Sequence, residues 1–286
     1  MTKTRSILPR KLKDLAIRLF SGAAVMIAVG MMLWIIFTVV HYGYKAMSVS
    51  FFTNPSRPYG IANGGIANAL LGTVFITLGA AIIAVPPAIC AGIYLSEYKD
   101  HKKLVNILRF SANVMMGLPS VLVGLFTYII IVIPSGNFSG FSASIALGII
   151  MFPVIMRTTE DMLAMVPYAL RESALALGMT RTRTTLRIVC LSAKKGLITG
   201  VLLSLSRVSG ETAPLLFTAM FADSWPFDFF SSPTANMPVL ITEYATNSPF
   251  AAMHQAGWGA ALVVTALVLI VNLSTRIIFR EKKHGH

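Results

Sequence analysis

The sequence predicts an all-α, polytopic membrane protein with six transmembrane helices. Three observations predict it. Of the 286 residues, 55% are hydrophobic and 12% charged, with a mean hydropathy of +0.72, whereas a soluble domain carries about 25% charged residues. Stretches free of Asp, Glu, Lys, Arg and His recur at the length of about 20 residues that a helix needs to cross the hydrocarbon core. The 24 Lys and Arg, which set a net charge of +13, fall in alternate intervals between those stretches. This composition excludes a disordered chain, a collagen-like chain and a disulfide scaffold. The two cysteines, Cys90 and Cys190, have no second thiol or histidine at ligand spacing, which argues against structural zinc.

The first apolar stretch is residues 19–40. It follows a basic flank, is too long for a signal-peptide core and has no small-residue cleavage pattern after it, so it reads as a retained anchor helix. Residues 58–96 form the second, with 59–65 as loop and 68–95 as helix. Pro86 and Pro87 inside it are expected to kink the helix rather than break it. Residues 110–156 carry no charge or histidine and hold two spans, parted by the turn formers Pro134-Ser-Gly-Asn-Phe-Ser-Gly140. The fifth span covers residues 196–220 and the sixth residues 257–279.

Lys and Arg mark cytoplasmic loops. Residues 1–18 hold six, 96–111 four, 157–195 seven and 276–286 four, against two, none and none in 41–67, 134–140 and 221–256. Both termini are therefore expected in the cytoplasm, and the positive charge reads as topology and contact with an anionic leaflet rather than with nucleic acid. The organisation that follows is a basic N-terminus (1–18), a six-helix membrane domain (19–280) that includes a cytoplasmic loop (157–195), and a cytoplasmic tail (281–286).

The soluble segments show no catalytic apparatus. No Gly-Lys dipeptide is present, so the phosphate-cradling loop of an ATPase is missing. The five histidines are scattered apart from His284 and His286, so no metal site is expected. In the long cytoplasmic loop, residues 160–177 read as a helix with the apolar stripe Leu163, Leu170, Ala174 and Leu177, stopped by Gly178. Thr180 is a candidate N-cap for a second short helix with Leu186, Ile188 and Val189. Periodicity alone fits two arrangements, a knob projecting from the membrane or a pair of interfacial helices lying flat.

The fifth span carries Arg207 and Glu211, four residues apart and so on one face of a continuous helix. A charge at the centre of a membrane helix costs about 2.5–3.5 kcal/mol on insertion scales and generally faces an interior or a pore. Two readings follow: a structural pair in which Glu211 neutralises Arg207, or a path for an anion recognised by the guanidinium fork. Ser209, Thr212 and Pro214 flank the pair, and Pro214 frees a carbonyl near it.

Glu172-Ser-Ala-Leu-Ala-Leu-Gly178, with Ile188 ten residues after the glycine, resembles the "EAA" signature of permease subunits of binding-protein-dependent ABC importers. Ser173 replaces an alanine, and Cys190-Leu191 stands where the family often has Leu-Pro. Within that family the chain is similar to the phosphate-specific permeases. The stretches that carry this are Gly64-Gly-Ile-Ala-Asn-Ala-Leu-Leu-Gly-Thr73, Ala91-Gly-Ile-Tyr-Leu-Ser-Glu97, Gly117-Leu-Pro-Ser-Val-Leu-Val-Gly124 and Ser206-Arg-Val-Ser-Gly-Glu-Thr-Ala-Pro-Leu-Leu-Phe-Thr218.

The resemblance implies a MetI-like type I ABC importer permease in a bacterial inner membrane. Its implied partners are a second permease subunit, two copies of an ATPase that bind the ATP and Mg, and an extracytoplasmic phosphate-binding protein. It places Arg207, Glu211 and Thr212 on the substrate path, and Glu172, Ser173, Ala174, Gly178 and Ile188 in the loop that couples to the ATPase. The aromatic outer loop with Trp225, Pro226, Phe227, Phe229 and Phe230 reads either as a docking surface or as an interfacial belt. Asp223, Asp228 and Glu243 do not suit capture of an anion. Alternatives are a permease for another oxyanion or polar solute, a subunit acting mainly in phosphate sensing, and a stand-alone secondary transporter.

Overall fold

The computed structural model describes residues 8–58, 61, 64–98 and 102–278. Residues 1–7 of the basic N-terminus, part of the 59–65 loop, and the tail with His284 and His286 lie outside them. Among the described residues every regular element is helical. Among the described residues five helices are long and apolar enough to cross a membrane, and one bent pair, counted as a single span, brings the number to six.

Helix α1 (Leu8–Gly43) stands almost alone. Leu15, Phe20, Met26, Trp34 and Phe37 are all exposed, and an apolar helix without protein cover is built for lipid or another chain. Its last two turns rest on the final helix. A side-chain carbon on Gly43 would lie 2.7 Å from the Trp258 carbonyl oxygen, and the Tyr42 and Trp258 rings are 5.3 Å apart. The short α2 (Val49–Thr53) is capped by Ser48, whose hydroxyl accepts from the Phe51 amide at 3.2 Å. Phe51 and Ile66 are buried against Met237, Leu240 and Tyr244.

Helix α3 (Ala67–Glu97) runs without a break through Pro86 and Pro87. Gly72, Ile76, Ala80, Ala84, Ala88 and Gly92 recur every four residues and are all buried, and apart from Ile76 they form a small-residue stripe of the kind that lets membrane helices approach closely. Its partner is α6 (Gly140–Ala164). A side-chain carbon on Gly92 would lie 2.5 Å from Thr159 Cβ and 2.6 Å from the Met156 carbonyl. In lipid there is little hydrophobic drive between helices, so this close contact is what holds the centre together.

The third span, expected as the first of the two in residues 110–156, is bent. Helices α4 (Lys102–Gly117) and α5 (Ser120–Ser135) meet at 101°. Pro119 has no amide to donate, and it forces Leu118 out of the helical region. Helix α4 begins among charges, ahead of the charge-free run, and is amphipathic. The turn expected at 134–140 is present, with Gly136 at φ +71° and Ser139 capping α6 by accepting from the Ser142 amide.

The loop at residues 157–195 also differs from expectation. The helix expected over 160–177 is split: its first part belongs to α6, residues 165–167 turn, and α7 (Tyr168–Ala176) follows Pro167. The second short helix expected after Thr180 is instead the start of α8 (Arg181–Val208), which passes through a π turn at Thr185–Val189 into the fifth span. The short α9 (Ala213–Thr218) comes next. A looped segment, α10 (Met237–Thr246) and α11 (Ala251–Ile278) complete the chain.

Candidate functional site

The fifth span breaks where its two charges lie. Helix α8 ends at Val208 and α9 begins at Ala213, with residues 209–212 in a turn held by Ser209 N–H to Leu205 O (3.0 Å) and Glu211 N–H to Val208 O (3.1 Å). Arg207 and Glu211 therefore do not share a helix face. A spacing of four puts two residues on one face only of a continuous helix, and Gly210 with Pro214 interrupts this one. Arg207 is exposed on the chain, Glu211 and Thr212 are half-buried, and no ion pair or side-chain hydrogen bond joins any of them to another described residue.

Their level in the bundle follows from packing. Gly196 and Gly200 of α8 lie against Met162 and Thr158 of the antiparallel α6. That register brings Arg207 level with about Met151, the middle of a 25-residue helix. The two interruptions also meet. A side-chain carbon on Gly124 of α5, just past the 101° bend, would lie 2.6 Å from Pro214 Cα. Backbone freed from helical bonding at membrane depth persists only where protein or a water-filled cavity surrounds it, and here it lies beside an unpaired guanidinium.

Two other clusters of charge are paired. Glu160, buried in α6, accepts from Arg109 Nε and Arg157 Nη1 at 2.7 Å each. Glu97, the last residue of α3, is ion-paired with Arg171 of α7. Arg157 and Glu160 are three residues apart, but the Arg109–Glu160 and Arg171–Glu97 contacts do not stand out in the sequence, because their partners are 51 and 74 residues apart along the chain.

At the same end of the bundle, Gly178 stops α7 at φ +82°, and the Thr180 hydroxyl accepts from the Arg183 amide at 3.4 Å. Ala174 is buried and Ile188 half-buried, whereas Glu172 and Ser173 are exposed. Of the expected stripe, Leu163 and Ala174 face the core, but Leu170 and Leu177 face outward beside Tyr168 and Leu175. That end therefore presents an uncovered apolar surface around an acidic residue.

At the opposite end the aromatic segment is anchored to the helices. Asn68 of α3 donates to Ser224 O at 3.3 Å, and the Phe141 amide to Phe229 O at 3.1 Å. Phe229 is partly buried in the core, while Phe227 and Phe230 stand 77% and 73% exposed. At this end, burial and then the Asp223 carboxylate push the Tyr244 hydroxyl up to about 12, offset in part by a bond to the Arg57 backbone. Tyr244 stays a neutral donor at physiological pH.

A family model described as "Binding-protein-dependent transport system inner membrane component" matches residues 88–284. The phosphate transport system permease protein PstA of Yersinia pestis is 40% identical over 275 residues, covering 96% of this chain and 92% of that protein. The protein of the same name from Haemophilus influenzae is 40% identical over 265 residues, 92% of each. The phosphate transport system permease protein PstA 1 of Mycobacterium tuberculosis (strain CDC 1551 / Oshkosh) is 34% identical over 276 residues, 95% of this chain and 90% of its own. Among solved structures, an inward-facing MetNI methionine ABC transporter chain superposes with a TM-score of 0.63 at 16% identity, over 75% of this chain and 94% of that one. That likeness bears on the fold.

Proposed function

Because this chain belongs to the family of binding-protein-dependent transport system inner membrane components, we propose that it is a permease subunit of an ATP-driven importer of inorganic phosphate in a bacterial inner membrane. It forms half of the translocation path, and a second permease subunit forms the other half. ATP and Mg are held by two copies of a separate ATPase, and an extracytoplasmic phosphate-binding protein delivers the substrate. Both termini lie in the cytoplasm, the side that the Lys and Arg count assigns to them.

The observation that carries the reading is Arg207: exposed on the chain, level with mid-bundle and without an internal partner. An unpaired guanidinium facing lipid would cost several kcal/mol, so this face of α8 is turned to water and to the second permease. A planar fork of donors there suits a phosphate oxyanion. Glu211, one turn on and half-buried, repels the same anion, which shortens its stay. Thr212 adds a hydroxyl at the break.

Helix α7 is the docking piece. Glu172, Ser173 and the outward leucines meet the ATPase, Ala174 and Ile188 seat the loop against the bundle, and Gly178 sets the angle between α7 and α8. Closure of the ATPases moves this end and rocks the helices between inward-open and outward-open states.

The test is uptake of radiolabelled phosphate at low external concentration in cells lacking the chain, with the wild-type or the Arg207→Gln gene restored. ATP-dependent uptake that returns with the wild type, resists excess sulfate and molybdate, and is lost with Arg207→Gln is the expected result. Unchanged uptake with Arg207→Gln would remove that residue from the path.

A further inference from the structure

Two charges at the cytoplasmic end stand where helix physics disfavours them. Glu97 closes the 31-residue α3, at the end where the helix dipole is negative and a carboxylate is unwelcome. Arg171 lies in the first half of α7, nearer the end that disfavours a cation. The two satisfy each other as an ion pair with side chains 14% and 17% exposed. Each also holds a third element. Arg171 Nη2 donates to Leu163 O at the end of α6 at 2.7 Å, and the Thr185 hydroxyl, in the π turn of α8, donates to Glu97 Oε2 at 3.3 Å.

One pair thus ties the ends of α3, α6, α7 and α8. Among the described residues, no side chain of α7 other than Arg171 forms a hydrogen bond or ion pair to a membrane helix. Beside the pair lies a cavity of about 650 Å³, lined among others by Ser96 and Thr184, whose buried hydroxyls have no partner. The joint is therefore tight at one point and loose around it.

We propose that Glu97 and Arg171 are positioning residues for transport: the ion pair is the joint through which movement of α7 reaches α3, and through α3 the central α3–α6 pair. This rests on the reading of α7 as the ATPase-docking helix. When α7 is displaced, the charged link drags the end of α3 with it, while the cavity leaves the rest of the knob room to tilt. Without the link, α7 moves and the membrane helices do not follow.

The measurement is phosphate moved per ATP hydrolysed by the complete complex in proteoliposomes, with Glu97→Gln, Arg171→Gln, the double variant and the milder Arg171→Lys. Each Gln variant is expected to assemble, to keep hydrolysing ATP and to lower the ratio about tenfold. The double should lose no more than the worse single, as for two residues in one link. Arg171→Lys keeps the charge without the fork and should lose about threefold. A wild-type ratio in the single variants, losses that multiply in the double, or variants that fail to assemble would each overturn the joint. A wild-type complex that moves no phosphate would instead strike the functional reading, so the two failures are distinguishable.

Discussion

Pro214 Cα lies 2.6 Å from the place a side-chain carbon on Gly124 would occupy, so the segments following two separate helix breaks touch backbone to backbone. One break is at Pro119, the other at residues 209–212. Sequence stretches that lie about 90 residues apart along the chain are one place in space, and Arg207 stands at its edge.

Gly124→Ala therefore forces α5 and α9 apart. A core with no room for one added methyl loses about 1–3 kcal/mol, so the variant should melt at a lower temperature in detergent and carry less phosphate. Gly117→Ala, where the added carbon meets nothing within 4 Å, should leave both properties as they were.

The missing ion pair between Arg207 and Glu211 makes a second expectation. Were they paired, Glu211→Gln would relieve Arg207→Gln by removing the orphaned partner. In the observed arrangement the double variant should transport no better than Arg207→Gln alone, and Arg207→Lys should retain a small fraction of uptake. Recovery of uptake in the double variant would contradict the break.

Gly178 sits at φ +82° with open space around it. Gly178→Ala should cost about 1–2 kcal/mol from the left-handed backbone alone and weaken coupling modestly. Gly178→Pro, whose ring fixes φ near −65°, should separate ATP hydrolysis from phosphate movement with the chain still inserted. Both are read by the ratio of phosphate carried to ATP consumed.

Glu160 binds two arginines from within the bundle. Glu160→Gln leaves Arg109 and Arg157 facing one another, each side chain about a third exposed. With the discount for that exposure, the loss should be about 1–2 kcal/mol, seen as a lower unfolding temperature. Arg109→Gln leaves Arg157 on the carboxylate and should cost less.

The sequence made the apolar stretches long enough to cross legible, because hydrocarbon thickness acts on composition alone. It also placed the Gly178 stop, the Thr180 cap and the turn at residues 134–140, each a local backbone requirement. The 101° bend was hidden because a charge-free run cannot distinguish one straight span from a half-span with an amphipathic lead. The gap between Arg207 and Glu211 was hidden for a related reason. Spacing of four residues means one face only while the helix lasts, and Gly210 with Pro214 ended it. Glu97 and Arg171 could not be joined from sequence, since nothing local relates residues on different helices. Glu97 at the C-terminal end of α3 and Arg171 in the N-terminal half of α7, each disfavoured by its helix dipole, were the available signal.

Helix α1 is a lever. Burial begins only at Ile36, so the 25 residues 11–35, about 38 Å of rigid rod at 1.5 Å per residue, extend from a pivot near Ile36. A swing of about 10° at that pivot carries the far end through about 7 Å. The chain can thus meet bilayers of different thickness, or the changing outline of a moving neighbour, by leaning one spar while the α3–α6 keel stays put.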